Sequence, residues 1–375
     1  MKSDITVKVL SFKPDLLCVE WSDGKTSEIP SPWLIDNDPV HREPHSGQRL
    51  IDVADLPDAP RIRQADVKNG QVLVEWQGRA APTSIAIAWL ARQRDRPAAG
   101  SARAVTLWGD AARMDARKDF EWLTLAELRN GGARAAPWFR RLGKEGLAFI
   151  SEVPTRDGAI LEAVASIGLV QETNYGRLFD VRAIAKAENL AYTDLGLGLH
   201  TDNPYRDPVP GFQALHCLLP AVDGGDNQFA DSFAISEHLR HVHPEAFAIL
   251  TQKAVPFHYR ARDVELYSEK PMIQLGMQGE VIAVHYNNRS IAPLPPSGPG
   301  LAEYYQAYRD FAQHLRQAQR QLRMRMNKGD LVVFDNWRVL HARTSFSAAR
   351  HLQGCYLTKD SVYSRVALES MHEYV

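Results

Sequence analysis

The sequence predicts a mostly β protein. The expected architecture is a double-stranded β-helix (jelly roll) with helical insertions over residues 101–375, preceded by a small β domain over residues 1–100. Three observations predict it. Short strand-like runs such as FQALHCLL, VIAVHY, DLVVFDNW and HLQGCYL recur between Gly, Pro, Asn and Asp turns. Two stretches with apolar residues at helical spacing, AISEHLRHVHPEAFAILT and LAEYYQAYRDFAQHLRQAQRQLRMRM, interrupt them. Near the start, LLCVEWSDGKTSEIPSPWL (16–34) is echoed by GQVLVEWQGRAAPTSIAIAWL (70–90).

In chain order, each copy of the echo alternates into a Trp, turns, resumes as a strand and ends on Trp-Leu. That reads as two copies of a β-hairpin unit, with a chance likeness between two hairpins as the alternative. Residues 101–118 link the two domains with weak periodicity. TLAELRNGGARAAPWFRRLGKEGLAFISEVP then suggests two short helices and a strand. In the later helical stretch Tyr304, Tyr305, Tyr308, Phe311 and Leu315 make one stripe, read as core.

A net charge of −1 over 375 residues excludes a broad field that recruits nucleic acid or an anionic membrane, which leaves a small molecule as the expected partner. Cys18, Cys217 and Cys355 are too scattered for a disulfide framework, which fits a reducing compartment. MKSDITVKVLSFKPD has no apolar core of signal-peptide length, and no apolar run spans a bilayer. The expected location is the cytoplasm.

The chemistry is carried by GLHTDNPY and, far downstream, NWRVLHARTSFSAARHLQGCY. Three His-x-acid pairs occur: His41/Glu43, His200/Asp202 and His243/Glu245. His243-Pro-Glu reads as a helix start. His200 and Asp202 end an expected strand, whose alternation puts both side chains on one face. In a jelly roll a late strand returns beside an early one, so His341 can complete a two-His-one-carboxylate triad on iron. Such a triad leaves positions open for a chelating cosubstrate and O2. Arg350, nine positions after His341, can fork onto the far carboxylate of that cosubstrate. Taken alone, His341 reads equally as a buried histidine and Arg350 as half of a surface ion pair. The combination in this order is more specific than its parts.

These blocks, together with WLIDN, ENLAYTDLGLGLHTDNPY, GGDNQFADSF and RHLQGCY, resemble the γ-butyrobetaine dioxygenase group of Fe(II)/2-oxoglutarate-dependent oxygenases, relatives of the taurine dioxygenases. The resemblance covers nearly the whole chain. It implies Fe(II) on His200, Asp202 and His341, 2-oxoglutarate held by Arg350 with Asn227 nearby, O2 as oxidant, and a homodimer. It also implies an aromatic cage of Tyr175, Phe179, Tyr192 and Tyr356 around a trimethylammonium group, and Asn189 and Asn287 as partners of the anionic end. Ring faces suit a quaternary ammonium, which donates no hydrogen bonds. Phe179 stands where relatives carry Trp.

Arg289 departs from the pattern, since γ-butyrobetaine hydroxylases have a small residue there. A guanidinium suits a group with more charge and more oxygens than a carboxylate, such as a phosphonate; pairing with an acid or pointing to solvent is the plain alternative. Together with the resemblance, whose group includes a member acting on it, this makes 2-(trimethylammonio)ethylphosphonate the expected substrate, hydroxylated at the carbon bearing phosphorus. γ-Butyrobetaine or trimethyllysine is the alternative within the class, the latter needing an acid for its α-amino group that the sequence does not place. A non-catalytic metal-binding ligand sensor is the alternative outside it. In WLIDNDPVHREPHSGQR, Asp38, Val40 and Glu43 stand where many relatives carry zinc-binding cysteines, and His41 and His45 alone do not make a tetrahedral site. No structural zinc is expected.

Overall fold

The computed structural model describes residues 5–95, 105–182, 195–347 and 349–371. The chain divides into two compact units, 1–101 and 102–375.

The first unit follows the internal echo. β1 (Val7–Lys13), β2 (Leu16–Trp21) and β3 (Thr26–Pro30) form one antiparallel sheet leading into α1 (Ser31–Asp36). β4 (Ile62–Lys68), β5 (Gln71–Trp76) and β6 (Thr83–Ala86) form a second, leading into α2 (Ile87–Arg94). Period-two burial explains the strands: Leu17, Val19 and Trp21 in one copy and Val72, Val74 and Trp76 in the other are buried. The likeness extends to the indoles. Trp21 Nε1 donates to Ser27 Oγ at 2.8 Å, and Trp76 Nε1 donates to Thr83 Oγ1 at 3.0 Å. The Trp-Leu that ends each copy lies on a short helix rather than a strand. Trp33 on α1 and Trp89 on α2 stand with ring centroids 5.8 Å apart. Of the two loop histidines, His41 bonds through Nδ1 to the Ile35 carbonyl at 2.9 Å.

The second unit opens with β7 (Trp122–Thr124), α3 (Leu125–Asn130), α4 (Ala135–Glu145), β8 (Leu147–Ser151), α5 (Ala159–Val164), β9 (Val170–Gln171) and β10 (Phe179–Val181). It continues with β11 (Leu197–His200), β12 (Phe212–Leu219), β13 (Asp223–Gly224), β14 (Asn227–Asp231), α6 (Ser232–Val242) and α7 (Pro244–Gln252). Two hairpins follow, β15 (Ala254–Ala261) with β16 (Val264–Pro271) and β17 (Ile273–Leu275) with β18 (Val281–Val284). The last elements are α8 (Leu301–Arg316), β19 (Leu322–Met324), β20 (Leu331–Asp335), β21 (Val339–Arg343), β22 (Phe346–Ser347), β23 (His351–Leu357) and α9 (Lys359–Met371).

Two sheets hold the site. The larger runs β10-β23-β12-β20-β8-β7, with β9 also beside β23; the smaller runs β11-β21-β14-β19. They share an apolar core to which the larger contributes Phe149, Cys217 and Phe334 and the smaller Phe229, Leu322 and Val339. The far face of the larger sheet is covered by Trp138, Phe139 and Leu142 of α4, Ile160 of α5 and Val362 of α9. Burial on both faces is why LVVF in β20 is continuously apolar rather than alternating.

Two expectations need correction here. The long helix stops at Arg316, because Gln317 adopts φ −65 and ψ 127, and QLRMRM continues as β19 with alternating burial. Tyr305 leaves the stripe: it is 51% exposed, while Tyr304, Ala307, Phe311 and Leu315 are buried. Helix α9 is an addition that the sequence pattern did not reveal.

Candidate active site

Strands β11 and β21 pair antiparallel, with His200 directly opposite His341. This brings together residues that lie far apart in the chain, and the two rings stand 4.2 Å apart between centroids. Asp202 reaches them differently from the expected strand alternation. β11 ends at His200, and the chain then turns through Asn203 at φ 53. A buried amide holds the turn. The Asp202 N–H donates to Asn336 Oδ1 at 2.7 Å, and Asn336 Nδ2 donates to the carbonyls of Asp202 and Pro210, each at 3.0 Å. Asn336 follows β20 in DN, a turn pair whose only sequence signal is its place after a strand.

His200 Nε2 lies 3.2 Å from Asp202 Oδ1, and His341 Nε2 lies 3.9 Å from Asp202 Oδ2. Among the described residues this is the one group of three or more His, Cys, Asp or Glu whose donor atoms all lie within 4.8 Å of one another. His200 Nδ1 donates to the Gly198 carbonyl at 2.9 Å, which orients the ring with Nε2 toward the carboxylate. Burial drives His341 down to about 3, with His200 adding to the effect. Burial alone raises the Asp202 carboxyl, but His341 and His200 outweigh it and hold Asp202 well below the usual carboxylate range. His200 Nε2, His341 Nε2 and an Asp202 oxygen therefore converge as one buried N,N,O donor set. That set fits a divalent first-row metal.

A cavity of about 730 Å³, counting the solvent at its mouth, opens over these donors. Arg350, Asn227, Arg343 and Leu352 line one part. Arg350 is buried, its Nη2 3.3 Å from Asn227 Oδ1, and burial together with Arg343 lowers it to about 10, so it remains cationic. Gly225 makes room for it. A Cβ there would lie 3.1 Å from Arg350 Cδ, on a backbone at φ +69.

Tyr175, Phe179 and Tyr356 line the same cavity, with ring centroids 6.4 Å apart for Tyr175–Phe179 and 5.1 Å for Phe179–Tyr356. Two further rings, absent from the expected cage, pack behind Tyr175 without lining the cavity. Tyr205 and Tyr259 stack at 5.0 Å, and the Tyr175 and Tyr205 hydroxyls lie 3.4 Å apart. Tyr205 sits within NPY beside the triad motif, whereas Tyr259 arrives on the β15–β16 hairpin, which no local signal connects to the site.

Arg289 lines the cavity, within electrostatic reach of Asp202, Tyr205, Tyr175 and Tyr356. Among the described residues only its backbone N–H is engaged, donating to Asn287 Oδ1 at 3.1 Å. Asn287 does not line the cavity. Its amide is spent inside the fold, with Nδ2 donating to the Thr201 carbonyl at 3.0 Å and Oδ1 taken by Arg289, so it braces the segment between His200 and Asp202. Asn189 and Tyr192 lie outside the described residues.

Residues 115–356 match the family model described as "Taurine catabolism dioxygenase TauD, TfdA family". The chain belongs to this dioxygenase family. The chain is also 34% identical to a γ-butyrobetaine dioxygenase of Pseudomonas sp. (strain AK-1), over 93% of this chain and 92% of that one. It is 27% identical to the γ-butyrobetaine dioxygenase of Homo sapiens (94% of each chain). It is 25% identical to a trimethyllysine dioxygenase of Meyerozyma guilliermondii (98% of this chain, 96% of that one). As a TauD/TfdA dioxygenase the protein is an enzyme that uses Fe(II), 2-oxoglutarate and O2, and His200, Asp202 and His341 supply a donor set suited to that iron.

Proposed function

We propose that this TauD/TfdA dioxygenase hydroxylates a small trimethylammonium zwitterion, and that its preferred substrate is 2-(trimethylammonio)ethylphosphonate, oxidised at the carbon bearing phosphorus. The single observation that carries the phosphonate is Arg289: an arginine without a side-chain hydrogen bond or ion pair among the described residues, lining the same cavity as the triad and the rings. The trimethylammonium end is supported by Tyr175, Phe179 and Tyr356 and by relatives named for γ-butyrobetaine and trimethyllysine.

Bound at the triad, Fe(II) with 2-oxoglutarate and O2 supplies the C–H oxidation, with succinate and CO2 formed from the cosubstrate. The chain's own residues do the rest. His200, Asp202 and His341 would hold the iron, and Arg350, with Asn227 beside it, would grip the far carboxylate of 2-oxoglutarate. The rings exclude water and fix the cation, each face contributing about 0.5–2 kcal/mol. The target carbon is then set by its distance from nitrogen. In both the phosphonate and γ-butyrobetaine the reacting carbon is the second from nitrogen, so one cage suits either and only the anion end must differ.

The test is a panel of trimethylammonium compounds differing only in the anionic group, scored by succinate release with wild-type protein and Arg289→Ala. The expected outcome is that the substitution weakens the phosphonate roughly 10- to 100-fold more than the carboxylate, the loss of one charge-assisted contact. Equal losses on both return the assignment to γ-butyrobetaine, the reading that the 34% identical Pseudomonas relative favours.

A further inference from the structure

Tyr356 touches more than a substrate pocket. Its hydroxyl donates a hydrogen bond to Asp202 Oδ2 at 2.8 Å, while Asp202 Oδ1 faces His200 Nε2 at 3.2 Å. The phenol is held in place from several sides. Tyr356 lies mid-strand in β23, paired with Gln213 of β12 and with Gln171 of β9, and is itself buried. Asn336 fixes the backbone of Asp202 on both its N–H and its carbonyl. Oδ2 thus carries the phenol's hydrogen bond with His341 Nε2 3.9 Å away, whereas Oδ1, the oxygen nearer to an imidazole, faces His200 Nε2 and accepts no phenol.

We propose that Tyr356 is a positioning residue for the metal ligand: by occupying Oδ2 it makes Asp202 a one-oxygen ligand through Oδ1 and keeps the remaining coordination positions for cosubstrate and oxidant. A carboxylate freed from such a partner can turn both oxygens to a divalent cation. In a facial triad that second oxygen takes a position the reaction needs. Partners of ligating carboxylates tune metal affinity by roughly 10- to 100-fold. The inference rests on the metal site and not on which substrate is accepted.

The rival role is that Tyr356 serves only as a cage wall, and Y356F separates the two because it keeps the ring and removes the donor. Protein is titrated anaerobically with Fe(II), then with 2-oxoglutarate while the visible charge-transfer absorption of the ferrous chelate is followed. Y356F is expected to weaken Fe(II) binding about 10-fold or more and to weaken 2-oxoglutarate chelation with it. Phe179→Leu, which removes a ring without touching Asp202, should leave both titrations at wild-type values. Site-specific 3-fluorotyrosine at 356, which keeps both ring and donor, should also match wild type and covers the case in which Y356F fails to fold. Wild-type affinities in Y356F, the same loss in Phe179→Leu, or a loss with fluorotyrosine would each overturn the proposal. No substrate enters either titration, so a wrong substrate assignment leaves the result unaffected.

Discussion

Asp202 lies beyond the last residue of its strand, so no ladder hydrogen bond fixes it, and Asn336 takes over that task from 134 residues away. Replacing Asn336 with Ala strands a buried N–H and two buried carbonyls. The expected cost is about 2–3 kcal/mol of stability, by urea unfolding of metal-free protein, and roughly 10-fold in Fe(II) affinity by anaerobic titration. Wild-type Fe(II) affinity in Asn336→Ala would show that the turn holds without the amide. At this scale much of the site was legible. His200, Asp202, His341 and Arg350 carry chemistry that few residue types can perform, and their order along the chain restricts it further. Asn336 and Tyr259 were not legible, because an amide or a ring announces nothing until the fold supplies its neighbour. Asn287 shows the reverse: an amide expected at the substrate is engaged by Thr201 and Arg289 instead.

Strand β10 pairs with β23 so that Phe179 sits opposite Gly354, and the Phe179 ring lies across that glycine; a Cβ at Gly354 would come 2.3 Å from the ring. Glycine is required there for space, not for backbone freedom. Gly354→Ala is therefore expected to push Phe179 aside, raising KM for a trimethylammonium substrate several-fold while anaerobic Fe(II) binding stays unchanged. An unchanged KM would remove Phe179 from the substrate wall. Elements were readable where one period dominates. Strands β2 and β5 announce themselves by alternation into Trp, and α8 by its stripe up to Leu315. Reading failed where periods change within a few residues, as at Gln317, and where a helix offers little apolar surface of its own. Among the described side chains of α9 only Val362 is buried outright, and the helix packs closely because Gly143 and Gly168 leave room for Val366 and Val362.

Apart from the metal-site donors, and among the described residues, two histidines of the second unit are buried and held neutral. Burial lowers His285 to about 3, with Lys270 and Lys359 adding to it, and lowers His216 to about 4. Both folded values lie below the ordinary value of 6.5. The unfolded chain therefore binds protons that the folded chain refuses, so stability is full above pH 6.5 and declines as pH falls toward 3. The slope is at most about 1.4 kcal/mol per pH unit for each group. Urea midpoints at pH 7.5 and pH 5 should differ, and His285→Gln should flatten the difference by about 2 kcal/mol. A His285→Gln profile parallel to wild type would rule out this origin. The β-rich character of the whole was evident from its many short strands, and the catalytic chemistry from one early and one late motif. How those motifs meet was not evident, since pairing partners are set by topology.

That meeting has a consequence for how the enzyme acquires its iron. His200 and His341 become neighbours only when β21, near the end of the chain, pairs with β11. Before that pairing the three-donor site does not exist. Loading becomes a late step that rewards completed folding, and ferrous ion, by binding only the finished form, draws the population toward it.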